Sequence, residues 1–236
     1  KSMSGDGAAE IVEKALRQGR RSLSEHESKQ VLARYGIPVT RERLVERRED
    51  VPKAAGEIGY PLVMKGCSEG IAHKTERGLI HVDLRNAGEA VEAWDAILAG
   101  MNDEPGGVLV QEMVRGRREL VMGMTRDPQF GPCVMFGLGG IFTEILNDVC
   151  FRRAPLERED ALSMMGEIRG RGILDAARGM EAADRDRLAD MLVRVGRIGL
   201  DLDGVAEIDL NPVILAGKNP VVVDALVILD APRRKL

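Results

Sequence analysis

The sequence predicts an α/β chain built as two α+β lobes, and three observations lead there. Its 236 residues suffice for one large domain or two small lobes. Hydrophobic residues at 44% and charged residues at 31% suit a packed core rather than disorder. Strand-like and helix-like runs are mixed, without the steady strand–helix alternation of a doubly wound sheet.

The elements follow in order. Residues 1–21 read as an N-terminal helical extension. Ser24 to Tyr35 reads as a helix, with Ser24 and Glu27 as a capping box and Gly36 and Pro38 to stop it. Residues 39–46 suit a strand and 51–59 a short helix. Pro61 opens "PLVMK", a short apolar run expected as a buried strand. "LIHVDL" alternates like another strand, and Ala87 to Ala99 is a helix with Trp94 and Ile97 inward. "GVLVQEMV", "RELVMGMTRD" and "PCVMFGLGG" are three successive strand-like runs separated by turn residues. Helices over 157–168 and 182–199 come next; in the second, Leu188, Met191, Leu192, Val195 and Ile198 share one face. "VAEIDLNPVIL" and "PVVVDALVIL" close the chain as two strands.

Composition narrows the function classes. Aromatics at 3% leave aliphatic side chains to build the core and offer few rings for stacking on single-stranded nucleic acid. A net charge of −4 gives no overall basic footprint for DNA or RNA. Cys67, Cys133 and Cys150 have neither metal-like spacing nor an even count, which points to a reducing, cytoplasmic setting. No apolar run is long enough to span a bilayer, so no membrane partner is expected.

Several short patterns carry chemistry. "GLGGIF" fails as a dinucleotide fingerprint because the third glycine position is Phe142. It remains either a plain turn or one whose amides approach a phosphate. Lys65 ends an apolar strand, so its ammonium needs a partner or a cleft unless it snorkels to the surface. Glu112 and Glu119 flank Gly116: a carboxylate at a strand end can accept ribose hydroxyls, and the pattern equally suits a surface hairpin. Arg115, Arg117 and Arg118 suit a solvated face or a negatively charged partner. His73 and Lys74 stand on a stretch bracketed by Gly66, Gly70 and Gly78.

"LSEHESKQVLARYGIPV", "GYPLVMKG", "HKTERG", "VLVQEMV", "DPQFGPCVMFGLGGIFTE", "FRRAPL" and "EIDLNPVIL" occur in one order between about residues 22 and 229. Together they resemble the ATP-grasp subunit of the nucleoside-diphosphate-forming acyl-CoA synthetases, such as ADP-forming acetate–CoA ligase. The resemblance implies an ATP-grasp fold, with residues 22–40 and 111–236 as the large subdomain and 41–110 as the small one. It implies ATP/ADP and Mg²⁺ as cofactors. By position, Lys65 would contact nucleotide phosphates. Glu112 and the backbone near Val114 would hold adenine, and Glu119 the ribose. Gly139, Gly140 and Glu144 would lie near the phosphates, and Asn211 and Asp224 would carry magnesium. His73 would be the phosphoryl carrier, with Lys74 balancing charge, because neutral imidazole is nucleophilic near neutral pH. A CoA-binding companion subunit, hence a hetero-oligomer, is implied. The chain departs from the family at Glu69, where proline is usual after the serine, and at Leu79, where a second glycine is usual. The rival readings are a catalytically silent nucleotide-sensing or scaffold module, and an ATP-grasp ligase acting on an amine acceptor.

The last two strands yield a geometric expectation. A turn centred between Gly217 and Lys218 places Asn211 directly opposite Asp224 in an antiparallel hairpin. Glu207 and Asp209 then share their face, with Ala206, Ile208 and Leu210 on the other. Pro212 donates no ladder bond and is the place where a bulge would shift this register.

Overall fold

The computed structural model describes residues 6–68, 77–140 and 147–230. His73, Lys74 and Glu144, all expected at the site, lie outside these residues. Two helices, α1 (Asp6–Arg17) and α2 (Glu25–Arg34), open the chain. The chain divides into two compact units. One comprises Ser24–His26 and Thr40–Val114; the other comprises Lys1–Leu23, Glu27–Val39 and Arg115–Leu236.

The smaller unit is a four-stranded antiparallel sheet with two helices, α3 (Val51–Ile58) and α4 (Ala87–Met101). Its strands are β1 (Glu42–Val45), β2 (Leu62–Ser68), β3 (Ile80–Leu84) and β4 (Gly106–Glu112), ordered β1-β4-β2-β3. All seven residues of β2 are buried, as the apolar run predicted. Leu62 and Met64 join Val108, Val110, Ile58, Trp94 and Ile97 in one core, and strand alternation turns Val63 and Lys65 to the opposite face. Helix α4 begins at Asn86, whose side chain accepts the Glu89 N–H at 3.0 Å, and ends at Asn102 in the left-handed region. Leu79, one of the departures from the family pattern, is fully buried in this core. A Cβ on Gly100 would stand 2.8 Å from its Cδ2, so the absence of a side chain at Gly100 makes room for the leucine.

The larger unit holds a six-stranded sheet: β5 (Glu119–Asp127), β6 (Gly131–Leu138), β7 (Val149–Arg153), β8 (Val205–Ala216), β9 (Asn219–Val222) and β10 (Leu226–Leu229). The order is β10-β8-β5-β6-β7, with β9 also paired to β8. Helices α5 (Arg158–Glu167) and α6 (Arg185–Asp201) pack on this sheet. The five apolar residues predicted on one face of α6 are all buried. Helix α1 adds Ala8, Val12 and Ala15 to the same core.

Two elements differ from the sequence reading. Strand β7 was not expected, because Arg152 and Arg153 obscure any apolar alternation along an edge strand. The last predicted strand is two strands, interrupted at 223–225, where the Asp224 side chain accepts the Ala225 N–H at 2.8 Å. A carboxylate that bonds its own neighbouring backbone competes with the ladder.

The buried face of α6 should dominate the stability of the larger unit. Leu192→Ala is expected to cost about 2–5 kcal/mol in urea unfolding. Leu200→Ala, at a position 39% exposed, should stay near 0.5 kcal/mol, about the limit for surface changes.

Candidate functional site

In the smaller unit, β2 delivers Lys65 to a buried position, 4% exposed. Its Nζ lies 2.8 Å from Glu25 Oε1 at the start of α2, and both side chains are almost fully enclosed. Of the readings open from the sequence, the snorkelling one is excluded. Next to this pair, His26 Nδ1 stands 2.8 Å from Glu42 Oε1. At the end of β4, Arg41 donates its backbone N–H and Nε–H to the two carboxylate oxygens of Glu112, each at 2.9 Å. Val114, just beyond, is half-buried and outside the ladder.

In the larger unit, Glu119 opens β5 beside the turn after β6. The Gly139 N–H donates to the Glu119 carbonyl at 2.9 Å, and the Gly140 N–H to Asn211 Oδ1 at 3.3 Å. Gly140 has φ +63, and a Cβ there would collide with a carboxylate oxygen of Glu119. One at Gly139 would collide with the Leu120 carbonyl. Gly139 is therefore required by close approach of the Leu120 backbone and Gly140 by its left-handed φ, and the turn brings Glu119, Gly139, Gly140 and Asn211 together.

The closing hairpin has the expected register. Ala216 pairs with Asn219 and Val213 with Val222, and the Val223 N–H donates to the Pro212 carbonyl at 3.1 Å. On the far side of the gap Leu226 pairs with Asp209 and Val227 with Ile208, in the same register. Asn211 and Asp224 are thus bracketed at opposing positions. The anticipated irregularity at Pro212 exists, but it faces β5. Leu120 pairs with Val213 and Met122 with Leu210, so three steps of β8 span two of β5. The pairing of β8 with β9 and with Leu226–Ile228 of β10 keeps one register, which shifts only at Leu229. Desolvation, and then the negative charges of Asp224 and Glu207, push the Asp209 carboxyl above its ordinary value. Among the described residues no three His, Cys, Asp or Glu side chains converge as a metal site. The Asn211–Asp224 pair nevertheless fits Mg²⁺, which takes oxygen donors and usually only one or two carboxylates, with phosphate and water completing its shell. The crowding of negative charge at Asp209 favours a cation nearby.

Residues 14–229 match the model of the ATP-grasp domain. This chain belongs to the ATP-grasp domain family. It is 45% identical, over 94% of its length and 97% of the relative's, to the acetate–CoA ligase [ADP-forming] I subunit beta of Pyrococcus furiosus. It is 39% identical to acetate–CoA ligase [ADP-forming] I of Archaeoglobus fulgidus, matching 97% of this chain but 34% of that longer one. A solved acetyl-coenzyme A synthetase 1 of Ca. Korarchaeum cryptofilum superposes with a TM-score of 0.85 at 44% identity, covering 94% of this chain and all of that one. That structure holds coenzyme A and Mg-AMPPCP, with its phosphohistidine segment pointing towards the nucleotide-binding site. The ATP-grasp chain is accordingly an acid–CoA ligase subunit of the ADP-forming type.

The sequence reading gave no role to Glu25 or Arg41, which pair with Lys65 and Glu112 in the smaller unit. The signal for Glu25 was present: a lysine ending a buried strand demands a buried carboxylate. Only the fold shows which of the chain's acidic residues supplies it. No described helix of this ATP-grasp chain is long and apolar enough to cross a membrane.

Breaking the buried pair has a defined consequence. Glu25→Ala should lower unfolding free energy by about 3–5 kcal/mol by stranding the Lys65 charge. Adding Lys65→Met should recover much of that loss in the same denaturation assay. A second expectation concerns pH. The folded state holds Asp209 protonated to a higher pH than the unfolded chain does, so its ionisation destabilises the fold as pH rises from about 3.9 through the raised value. Asp209→Asn should therefore raise Tm at pH 7, and the gain should vanish at pH values below about 3.9, where both chains are neutral there.

Proposed function

We propose that this chain performs the nucleotide half of acyl-CoA + ADP + phosphate ⇌ acid + CoA + ATP, moving phosphoryl between the nucleotide and His73. The observation that carries the site assignment is the meeting of Glu119, Gly139, Gly140 and Asn211, with Asp224 in register. Lys65 is the cation offered to nucleotide phosphates. Because Glu25 already neutralises it, phosphate binding shares or exchanges that partner rather than meeting a bare charge. The Glu112 carboxylate is held by Arg41, which leaves the backbone from Glu112 to Val114 for an adenine edge. Glu119 accepts from the ribose. The amides near Gly139 and Gly140, with Glu144, border the phosphates, and Asn211 and Asp224 hold magnesium. Magnesium, when bound, neutralises the phosphate oxygens between which charge is redistributed.

In the direction of ATP synthesis, phosphorylated His73 gives its phosphoryl group to ADP. The N–P bond breaks as an O–P bond forms to the terminal ADP oxygen, and the ring takes up one proton to return as neutral imidazole. Lys74 balances the phosphoryl charge while it rests on the ring. A CoA-binding companion chain supplies the acyl-phosphate half, as the β-subunit relatives suggest. No disulfide joins Cys67, Cys133 and Cys150, in keeping with a cytoplasmic setting.

Incubation of the chain with Mg-ATP should place acid-labile phosphate on His73, read by mass spectrometry. His73→Ala should abolish that label and cut turnover with the companion by orders of magnitude while leaving Mg-nucleotide affinity nearly unchanged. Nucleotide binding without any phosphohistidine, even with the companion present, would instead identify a silent sensing module.

A further inference from the structure

The arginine cluster at 115–118 has no part in the site described above, and the fold divides it in two. Arg118 is buried, 5% exposed, at the start of β5. Its Nη1 donates to the carbonyls of Ile173 and Asp175 at 3.2 and 3.4 Å, and its Nη2 to those of Glu181 and Gly217, both at 2.8 Å. These bonds tie the segment before α6 to the turn between β8 and β9. All four acceptors are neutral carbonyls. The hydrogen bonds are made, but the buried charge has no carboxylate to answer it among the described residues, and Nε has no acceptor there.

Arg118 forms the floor of a cleft of about 460 Å³ within the larger unit. Arg115, Arg117 and Arg178 line the same cleft, along with Gly179, Glu181 and Gly217. Arg115, Arg117 and Arg178 are exposed, and none of them has an ion-pair or hydrogen-bond partner among the described residues. Many other arginines of the chain are paired, for instance Arg41 with Glu112, Arg48 with Asp95 and Arg197 with Asp201. Arg178 is presented from a two-residue turn between Ala177 and Met180, with φ +48 at Arg178 and +81 at Gly179. A non-glycine residue in the left-handed region costs roughly 1–2 kcal/mol, and here it projects a guanidinium. The one carboxylate in the lining is Glu181, so four guanidinium groups face a single negative charge.

We infer that this cleft is a second ligand site, one that binds the phosphate or diphosphate group of a small molecule. Guanidinium forks match phosphate oxygens bidentately, and several converging on one hollow select a compact polyanion. The volume falls in the range of small-molecule pockets, roughly 300–1,000 Å³. A concave site of this size suits a small phosphorylated compound better than the broad, flat surface of an acidic protein. Glu181 sets a limit on the anion's position: it repels oxygens from its side and leaves the other rim, formed by Arg115, Arg117 and Arg178, to hold them.

The phosphate could belong to the nucleotide of the main site or to a separate compound, and one titration distinguishes them. Inorganic pyrophosphate is titrated into the full chain by calorimetry at low ionic strength, with and without saturating Mg-AMPPCP. The expected result is saturable binding that weakens with salt and persists when the nucleotide analogue is present. Arg117→Ala with Arg178→Asn, the latter tolerant of the left-handed turn, should weaken pyrophosphate at least roughly tenfold and leave Mg-AMPPCP binding unchanged. Glu181→Gln should strengthen pyrophosphate binding, a gain that misfolding cannot mimic. Absence of binding by the unaltered chain, full displacement by Mg-AMPPCP, or unchanged affinity in the double variant would each overturn the inference.

Discussion

The larger unit depends on how β8 is paired. This twelve-residue strand is bonded along one edge to β5 and along the other to β10 and β9 in turn. Ile208, Leu210, Val213 and Leu215 enter the core from it, while Glu207 and Asp209 lie on the opposite face of the strand. A uniform slip of one residue would exchange those two sets. The register toward β9 and β10 runs unbroken past Asn211, whereas the register toward β5 gains one residue at Asn211–Pro212. The extra residue lets β8 carry apolar side chains inward on both sides of the bulge. Between them, the Asn211 side chain is left to meet the Gly140 amide rather than the core.

Two buried cations illustrate different solutions to one electrostatic problem. Lys65 has a compact ammonium, and its charge is answered by the Glu25 carboxylate at 2.8 Å. Arg118 spreads its charge over a planar fork and satisfies it with four carbonyls. The first arrangement is close to neutral, so an anion arriving at Lys65 competes with an internal carboxylate. The second retains its net positive charge and lends it to the cleft above.

Much of this was legible in the residues. The apolar run of β2, the helical spacing along α6 and the turn at Gly217 each follow from local patterns that burial enforces in any fold of this kind. Strand β7 was not legible, because an edge strand with arginines in it has no alternation to read. The break at Asp224 was hidden as well: a β-rich run of valines and leucines shows continuity in sequence, and only the side chain's bond to the Ala225 N–H shows the interruption. The family pattern supplied the site residues by position, and His73 and Glu144 fall outside the described residues.

By itself the sequence determined the element types, the hairpin register that opposes Asn211 to Asp224, and the need of Lys65 for a partner. These depend on neighbours within one element or one hairpin, where spacing along the chain is spacing in space. Tertiary structure alone decided that the partner is Glu25, forty residues away, and that Arg41 occupies the Glu112 carboxylate. It also separated Arg118 from Arg115 and Arg117, burying one and leaving the others open. Such choices rest on which of many chemically equivalent groups the packed sheets and helices bring within a few ångströms, and no local pattern distinguishes among them.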